Sequence, residues 1–320
     1  MCRELCCPAH VTPEVERALR FIGEHLDRPM SVAEVARAAR LSEFHLHRVF
    51  HTAVGESIGR FITRRRLEIA ALRLAYEPDR SITDIALSSG YSSSSNFSKA
   101  FSAFFGCSPT RVREPSLDLA PAVGQLTTRY GKGFCPADLY TLPLERHPDD
   151  IRAEAALWNA RVRFVTTAGI SFASLASGGG YDFDTLEATW AELITRVRQL
   201  GLTDGDIDAW GRAHDSPQIT APELCRYEAC VPCPIDIPLP PPFVRGALHP
   251  GRYAVFSYSG EATGIAAAYR SIYSCWFRES SVAPDDYEPT DHYVSGLPEN
   301  GMVAMEMWLR VRPRTPGTAG

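Results

Sequence analysis

The sequence lacks the features of a membrane or secreted protein. Its 320 residues contain no apolar stretch near the ~18 residues that a bilayer-spanning helix needs. Residues 1–30 also lack the apolar core of a secretory signal. We therefore expect a cytoplasmic protein with no membrane partner. In that compartment the nine cysteines are expected to be free thiols rather than a disulfide framework.

Lysine is also nearly absent, since Lys99 and Lys132 are the only lysines among 33 basic residues. The net charge of −5 hides an uneven distribution. Residues 13–115 carry 15 basic and 12 acidic side chains, whereas residues 116–320 carry 17 and 25. A mildly basic first part joined to an acidic second part favours a nucleic-acid module followed by a domain that does not contact phosphates.

The sequence shows no Ser-His-Asp, Cys-His or metal-ligand constellation, so we expect no enzyme, no metal and no cofactor. Two groups of thiols need separate consideration. Cys2, Cys6 and Cys7 cluster at the N-terminus, and Cys230-Val-Pro-Cys233 has the spacing of a redox or zinc motif. Zinc would need four ligands, and each group lacks a second pair. Structural thiols are the favoured interpretation, and a thiol- or metal-responsive regulator is the alternative.

What the sequence does contain is an internal repeat in its first 115 residues. The segments that begin at Ser31 and Ser81 are offset by fifty, and each places a serine N-cap three residues before an acidic residue, as in a capping box. After a short turn, a second helix is predicted to begin at Ser42 and at Ser92. A long helix over about residues 56–76 joins the copies. Each copy has the pattern of a helix-turn-helix.

This part of the chain resembles the DNA-binding domains of the AraC/XylS family over about Pro13–Glu114. The resemblance rests on Leu41-Ser42, Leu46, Arg48, Phe50, Gly55, Arg66-Leu67, Ile82, Ile85-Ala86, Gly90-Tyr91, Phe97, Phe101, Phe105-Gly106, Ser108-Pro109 and Arg113. It implies two recognition helices that enter successive major grooves about one helical turn, ~34 Å, apart. The implied partner is double-stranded promoter DNA, and RNA polymerase is a further candidate partner.

The resemblance places the base-reading positions of the first recognition helix at Phe44, His47 and Arg48. Arginine can donate two hydrogen bonds to guanine, and an aromatic ring can pack on a thymine methyl group. Burial in the core is the alternative for Phe44. His45 and His51 are compatible with phosphate contacts and equally with plain exposure to solvent.

The second recognition helix differs, since its outward positions are Ser94, Ser95 and Lys99 in a serine-rich run. Serine cannot make the bidentate contacts that separate bases sharply. We therefore expect the first motif to supply most of the sequence discrimination and the second mainly to anchor the protein. On the connecting helix, Arg64 and Arg65 are candidates for phosphate contacts or for a solvated face.

The rest of the chain alternates strand and helix patterns after a stretch rich in proline and glycine. Beyond a short strand near 123–130 and a helix near 149–159, the predicted elements are a strand over 163–175, a helix over 184–200, strands over 225–230 and 252–258, a helix over 265–277, and strands over 292–295 and 302–311. Strand–helix–strand–strand occurs twice, which indicates an α+β domain with helices on one face of an antiparallel sheet.

The expected protein is therefore multidomain, with an all-α double helix-turn-helix domain followed by an α+β domain. The predicted segments are an N-terminal tail over 1–12, the DNA-binding domain over 13–115, a linker over 116–158, the α+β domain over 159–313 and a C-terminal tail over 314–320.

The last predicted strand alternates an apolar face with a face that carries Glu306 and Trp308. A carboxylate beside an aromatic wall suits a cationic, lipophilic ligand, through charge pairing and cation–π attraction. An exposed Glu306 beside a partly covered Trp308 is the alternative.

Residues 161–313 resemble a GyrI-like effector-binding domain, a duplicated α+β module with its ligand cleft between the halves. The resemblance rests on Gly179-Gly180-Tyr181, Asp215-Ser216-Pro217, Arg226-Tyr227-Glu228-Ala229, Pro250-Gly251-Arg252-Tyr253-Ala254-Val255, Trp276, Asp291-His292-Tyr293 and Met305-Glu306-Met307-Trp308. It implies that Glu306 faces the ligand and that Trp276 and Tyr293 line the cleft. Strand parity adds three wall residues, Phe172, Phe256 and Tyr258. Asp291 stands where the family usually has Glu and is expected to reach less far.

The two resemblances together predict a sequence-specific transcription regulator modulated by a small cationic or amphipathic effector, as in multidrug sensing. GyrI-like domains also occur in small hydrolases, so hydrolysis of the ligand is the alternative. Fusion to a DNA-binding domain favours sensing.

Overall fold

The computed structural model describes residues 12–113, 148–178, 181–203, 205–216, 219–220, 224–298 and 301–314. Within these ranges every helix is too short or too polar to cross a bilayer. The predicted strand over 123–130, Cys2, Cys6, Cys7 and Gly179-Gly180 lie outside the described residues, as do residues 1–11 and 315–320 and most of the predicted linker.

The first part of the chain is entirely helical. Its helices are α1 (Pro13–Glu24), α2 (Val32–Ala39), α3 (Glu43–Val54), α4 (Ile58–Tyr76), α5 (Ile82–Ser88) and α6 (Ser94–Phe105). The predicted long connecting helix is α4, which begins two residues later than expected. Its first half packs through Ile58 and Phe61 into a core with α1, α2 and α3, and its second half joins the core of α5 and α6.

Serine caps start the helices of both repeats. The Ser31 hydroxyl accepts a hydrogen bond from the Glu34 N–H while the Glu34 carboxylate accepts one from the Ser31 N–H, so the predicted capping box is confirmed. The Ser81 hydroxyl accepts from the backbone N–H three residues on in the same way. Ser42 caps α3 as predicted, but α6 is capped by Ser93 rather than Ser92. The caps of the first helices, Ser31 and Ser81, are therefore offset by fifty, and those of the second helices, Ser42 and Ser93, by fifty-one.

The turns between the paired helices also correspond. The backbone is left-handed at Arg40 in the first copy and at Gly90 in the second, with φ of 59° and 77°. A Cβ atom at Gly90 would lie 2.6 Å from the carbonyl oxygen of Leu26, so only glycine fits this turn. The fixed turn sets the angle at which α6 follows α5.

The second part is an antiparallel sheet covered by helices. Its helices are α7 (Pro148–Asn159), α8 (Phe183–Gln199) and α9 (Ile265–Ser271), which continues through a π-helical turn (Ile272–Trp276) and a last turn (Phe277–Glu279). Its strands are β1 (Val162–Thr167), β2 (Ile170–Ala176), β3 (Ala209–Ala213), β4 (Tyr227–Pro232), β5 (Val244–Leu248), β6 (Gly251–Glu261), β7 (Val282–Pro284), β8 (Thr290–Tyr293) and β9 (Met302–Pro313). The strand order is β1-β6-β9-β8-β3-β4-β2-β5, with β7 paired to β9.

The predicted α+β architecture is confirmed, with corrections to several elements. The strand expected over 163–175 is two strands, because a left-handed Gly169 turns the chain between them. The helix expected over 184–200 is α8, which begins one residue earlier and is capped by Asp182, whose carboxylate accepts a hydrogen bond from the Thr185 N–H. The sequence patterns also missed β3, β5 and β7.

The two parts of the chain pack against each other. A single buried cluster contains side chains from α4, α5 and α6 together with the helix-covered face of the sheet. A cavity of about 620 Å³ with many charged residues in its lining lies between α1, α4 and the strands β3, β4 and β5. The long helix α4 therefore belongs to both cores.

Candidate DNA-binding surface and ligand cavity

The first recognition helix, α3, is amphipathic in the way that DNA recognition requires. Leu46 and Phe50 are fully buried against the neighbouring helices, which turns the opposite face outward. Phe44 is 83% exposed, so its predicted alternative, burial in the core, does not hold. His47 and Arg48 are also exposed.

The histidines around this face differ in their surroundings. His45 is half-buried, and its Nδ1 lies 3.4 Å from the guanidinium of Arg48. His51 is exposed one turn further along the helix. The outward face of α3 thus combines an aromatic ring, imidazoles and one guanidinium.

The second recognition helix, α6, buries Phe97 and Phe101 and turns a smaller polar face outward. Ser95 and Lys99 are exposed, and Ser94 is half-buried at the first turn of the helix. This face offers one cation and short hydroxyl groups, as the sequence predicted.

The expected phosphate contacts of Arg64 and Arg65 are wrong for this arrangement, because both side chains are buried, at 5% and 4% exposure. Arg64 forms ion pairs with Glu56 at 2.6 Å and with Glu68 at 3.0 Å. Arg65 forms an ion pair with Asp215 in the second part of the chain at 2.6 Å. Both arginines therefore form buried ion pairs, Arg64 with Glu56 and Glu68 and Arg65 with the second part of the chain, and neither faces solvent.

The structure contains an apolar cavity of about 350 Å³ between the helix-covered face of the sheet, α8, α9 and the C-terminal half of α4. This volume lies in the range of small-molecule sites. Its apolar lining includes Leu72, Leu186 and Ile265. Its tyrosines are Tyr76, Tyr181, Tyr227, Tyr269, Tyr273, Tyr287 and Tyr293.

Two carboxylates border the cavity, and they differ in charge compensation. Asp215 is paired with Arg65 and with Arg226, and although burial opposes ionisation, these guanidinium groups lower its pKa to about 2. Asp291 accepts a hydrogen bond from the Tyr269 hydroxyl, and burial raises its pKa to about 7. Within the described part of the chain no arginine, lysine or histidine contributes to the pKa of Asp291. It is the carboxyl group of this cavity that lacks a counter-charge among those residues.

Among the seven predicted ligand residues, Tyr293 lines this cavity, where its hydroxyl lies 3.1 Å from that of Tyr227. Phe172 is fully buried on the opposite face of the sheet. Phe256 and Trp276 are buried in the helix-side core and pack on each other with ring centroids 4.8 Å apart.

The remaining predicted ligand residues also lie away from the cavity. Tyr258 is half-buried and donates its hydroxyl hydrogen to the backbone of Glu261. Trp308 packs on Trp210 on the face of the sheet opposite the cavity. Apart from Tyr293, the predicted wall residues therefore lie outside this cavity, because strand parity alone did not show which face of the sheet carries it.

Glu306 shares the Trp308 face and already has a counter-charge. Arg163 donates to both of its carboxylate oxygens, at 2.7 and 2.8 Å. Partial burial would raise the pKa of Glu306, but the adjacent guanidinium lowers it. Glu306 therefore does not line this cavity, whereas Asp291 does, and a ligand contact of Glu306 on the other face of the sheet stays a prediction.

Two sequence signals could have identified the cavity. Tyr269 and Tyr273 are four residues apart, which places both on one face of a helix. Asp291 is two residues before Tyr293 on the same strand, so the two side chains share a face. The register confirms this, because Asp291 is directly opposite Met307 of the helix-covered core.

The Cys230 and Cys233 thiols are buried, and burial raises the pKa of Cys230 well above its usual range. A buried thiol of raised pKa is a poor nucleophile and a poor metal ligand. Among the described residues no group of three or more His, Cys, Asp or Glu side chains is arranged to hold a metal ion.

Repeated helix-turn-helix units with exposed second helices, joined to an α+β domain with an apolar cavity, define a DNA-binding transcription regulator that carries its own small-molecule binding domain. Comparison with known proteins agrees with this class. The model of a helix-turn-helix domain matches residues 35–115, and that of a GyrI-like small molecule binding domain matches residues 161–312.

The chain belongs to the AraC/XylS family of transcription regulators. It is 34% identical over 99 residues to the regulatory protein SoxS of Salmonella typhimurium, a match that covers 31% of this chain and 92% of SoxS. It is 40% identical over 100 residues to the transcriptional regulator Rob of the same organism, covering 31% of this chain and 34% of Rob. Among solved structures, the C-terminal domain of AraT, a response regulator from Geobacillus stearothermophilus, aligns at 30% identity over 33% of this chain and 87% of its own, with a TM-score of 0.31.

Proposed function

We propose that this regulator binds a lipophilic cation in the tyrosine-lined cavity, with Asp291 as the counter-charge. One observation carries the proposal: a buried carboxyl group faces an apolar cavity of about 350 Å³ and has no cationic partner among the described residues. A cation there would gain charge pairing with Asp291 and cation–π attraction from the surrounding tyrosine rings.

We propose that the ligand is bound and released unchanged. The described lining of the cavity contains no histidine and no cysteine, and the Asp291 carboxyl group is held by a tyrosine hydroxyl. General-base catalysis needs a base positioned toward a nucleophile, and this lining supplies no such pair. These groups support reversible binding of the ligand without its chemical conversion.

For DNA, we propose that Phe44, His47 and Arg48 contact base edges, that Ser94, Ser95 and Lys99 anchor the second motif, and that His45 and His51 contact phosphates. The domain bounds that we propose are 13–115 for DNA binding and 159–313 for the effector, with tails over 1–12 and 314–320 and a linker over 116–158. A cytoplasmic location and contact with RNA polymerase complete the proposal.

Replacing Asp291 by asparagine is expected to weaken the binding of tetraphenylphosphonium about tenfold or more, because the amide keeps the shape of the carboxylate but not its charge. Isothermal titration calorimetry at pH 8 measures this. Glu306→Gln is the matched control and should bind as the wild type does, since Glu306 is paired with Arg163 on the other face of the sheet. Triphenylphosphine oxide, a neutral aromatic probe, should not distinguish Asp291→Asn from the wild type. Equal affinity of both variants for the cation would overturn the proposal.

The affinity for this cation is expected to rise with pH. The Asp291 carboxyl group has a pKa raised to about 7 by burial, so below pH 7 it is protonated and must lose a proton to pair with a cation. Between pH 6 and pH 8 the affinity should increase roughly tenfold. The facing hydroxyls of Tyr227, Tyr269 and Tyr293 have pKa values raised by burial and stay neutral over this range, and Asp215 stays ionised. Titrations of Asp291→Asn should give a flat profile.

A further inference from the structure

The cavity is completed by the DNA-binding part of the chain. Leu72 and Tyr76, in the last turns of α4, line it together with residues of α8, α9 and the sheet. The Tyr76 ring stacks on Tyr273 with centroids 5.2 Å apart and planes inclined by 28°, and on Tyr287 at 6.4 Å and 26°. A ligand that fills this cavity therefore meets side chains of both domains.

An ion-pair network joins the same two domains beside the cavity. Arg65 of α4 pairs with Asp215 at 2.6 Å and with Glu288 at 3.3 Å, and it donates to the carbonyl oxygen of His214 at 2.6 Å. Asp215 lines the cavity, whereas Arg65 does not. The guanidinium thus holds one wall of the cavity from outside.

A second set of contacts lies at the end of α4. Tyr287 lines the cavity, and its hydroxyl donates a hydrogen bond to the Glu77 carboxylate at 3.0 Å. Arg312 of β9 pairs with the same carboxylate at 2.5 Å. The cavity is therefore flanked on both sides by polar contacts between the two domains.

We infer that α4 is part of the effector site, so that ligand binding and the docking of the DNA-binding domain on the GyrI-like domain favour each other. The inference rests on the proposed function of the cavity. A ligand shifts an equilibrium between two arrangements only if it binds one of them more tightly. Contacts with Leu72 and Tyr76 exist in the docked arrangement alone, which supplies this difference in affinity.

The docked arrangement does not hide the recognition helices. Phe44, Arg48 and Lys99 are exposed while α4 is packed on the second domain. Because α3 and α6 both pack on α4, a ligand that fixes α4 also fixes the helix from which both recognition helices are supported. The helix that joins the two helix-turn-helix units is thus also the helix that contacts the effector.

The test measures tetraphenylphosphonium affinity by calorimetry at pH 8 in full-length variants. Tyr76→Ala should bind about tenfold more weakly, and Tyr76→Phe, which keeps the ring, should bind as the wild type does. Arg65→Gln lies outside the cavity and should still weaken binding roughly threefold, because it loosens the docking while Arg226 continues to neutralise Asp215. Thr63→Ala, an exposed position on the same helix, is the matched control and should have no effect.

The outcomes separate this inference from the proposed function. If Tyr76→Ala and Arg65→Gln bind like the wild type while Asp291→Asn does not, α4 is not part of the site and the cavity remains a cation site. If Asp291→Asn also binds like the wild type, the proposed function fails. Should Tyr76→Ala lack a cooperative thermal transition, Leu72→Ala and Arg65→Gln carry the test, and wild-type affinity in both overturns the inference.

Discussion

Replacing Arg64 by methionine is expected to lower the free energy of unfolding by about 3–5 kcal/mol, because it leaves the buried Glu56 carboxylate without its counter-charge and leaves Glu68 with Arg65 alone. Arg64 donates from Nε and Nη2 to Glu56, at 2.9 and 2.6 Å, and from Nη1 to both carboxylate oxygens of Glu68, at 3.0 Å each. Glu56 is 7% exposed and Glu68 is 1% exposed. Methionine fills much of the volume of the arginine stem, so the decrease in the free energy of unfolding reflects the lost charge rather than lost packing.

Urea unfolding followed by circular dichroism measures this effect, and a second substitution isolates its cause. Adding Glu56→Gln to Arg64→Met removes one orphaned charge and should recover a large part of the lost stability. Arg152→Met is the matched control, because Arg152 forms an ion pair with Asp149 at the surface, where such pairs contribute about 0–1 kcal/mol. If Arg64→Met unfolds at the same urea concentration as the wild type, the buried network does not stabilise the fold.

The features of the helix-turn-helix units that rest on short-range signals were predictable from the sequence. Serine caps at Ser31, Ser42 and Ser81 followed from hydroxyl groups placed before apolar helical patterns, and these contacts span three residues. The error at the start of α6 arose within a run of serines, where several hydroxyl groups could serve as the cap. Local signals of this kind need no knowledge of the rest of the fold.

The buried arginines show why other features could not be predicted. The spacing of Arg64 and Glu68 by four residues is compatible with an exposed helical ion pair and with a buried one. The partner that decides the case for Arg65 is Asp215, which lies about 150 residues away in sequence and reaches α4 through domain docking. A cluster of arginines in a DNA-binding domain therefore resembled a phosphate-binding surface until its tertiary partners were known.

The effector site that we propose lies on a different face of the sheet from the one that the sequence favoured. The sequence indicated a carboxylate among aromatic rings, and the structure contains two such arrangements on opposite faces of the sheet. Glu306 with Trp308 is the one that the sequence favoured, and Arg163 neutralises it. Asp291 with Tyr269 is the one inside a cavity, and its identification needed the pairing of β8 with β9. The contribution of α4 needed the docking of two domains and had no sequence signal.

Replacing Arg48 by alanine is expected to weaken binding to the selected operator by about 1–3 kcal/mol, roughly 5- to 150-fold, because it removes an outward guanidinium from the first recognition helix. An operator is first obtained by selection of the wild-type protein on a random duplex pool. Fluorescence anisotropy then measures the affinity for the operator and for each single base-pair change. In Arg48→Ala, base-pair changes at one or two adjacent positions of one half-site should no longer reduce the affinity. Changes at all other positions should reduce it as they do for the wild type.

Lys99→Ala tests whether the first recognition helix discriminates sequence while the second mainly anchors the protein. Lys99 is an exposed cation beside short serine hydroxyls, so its removal should weaken binding to all sequences alike and reduce the slope of log affinity against log salt by about one. Arg152→Ala removes an exposed arginine from the second part of the chain and should change neither quantity. If Arg48→Ala and Lys99→Ala each removed the effect of base-pair changes in one half-site to the same extent, both helices would contribute equally to sequence discrimination. Wild-type affinity in the Arg48→Ala, Lys99→Ala double variant would mean that a different surface of the protein binds DNA.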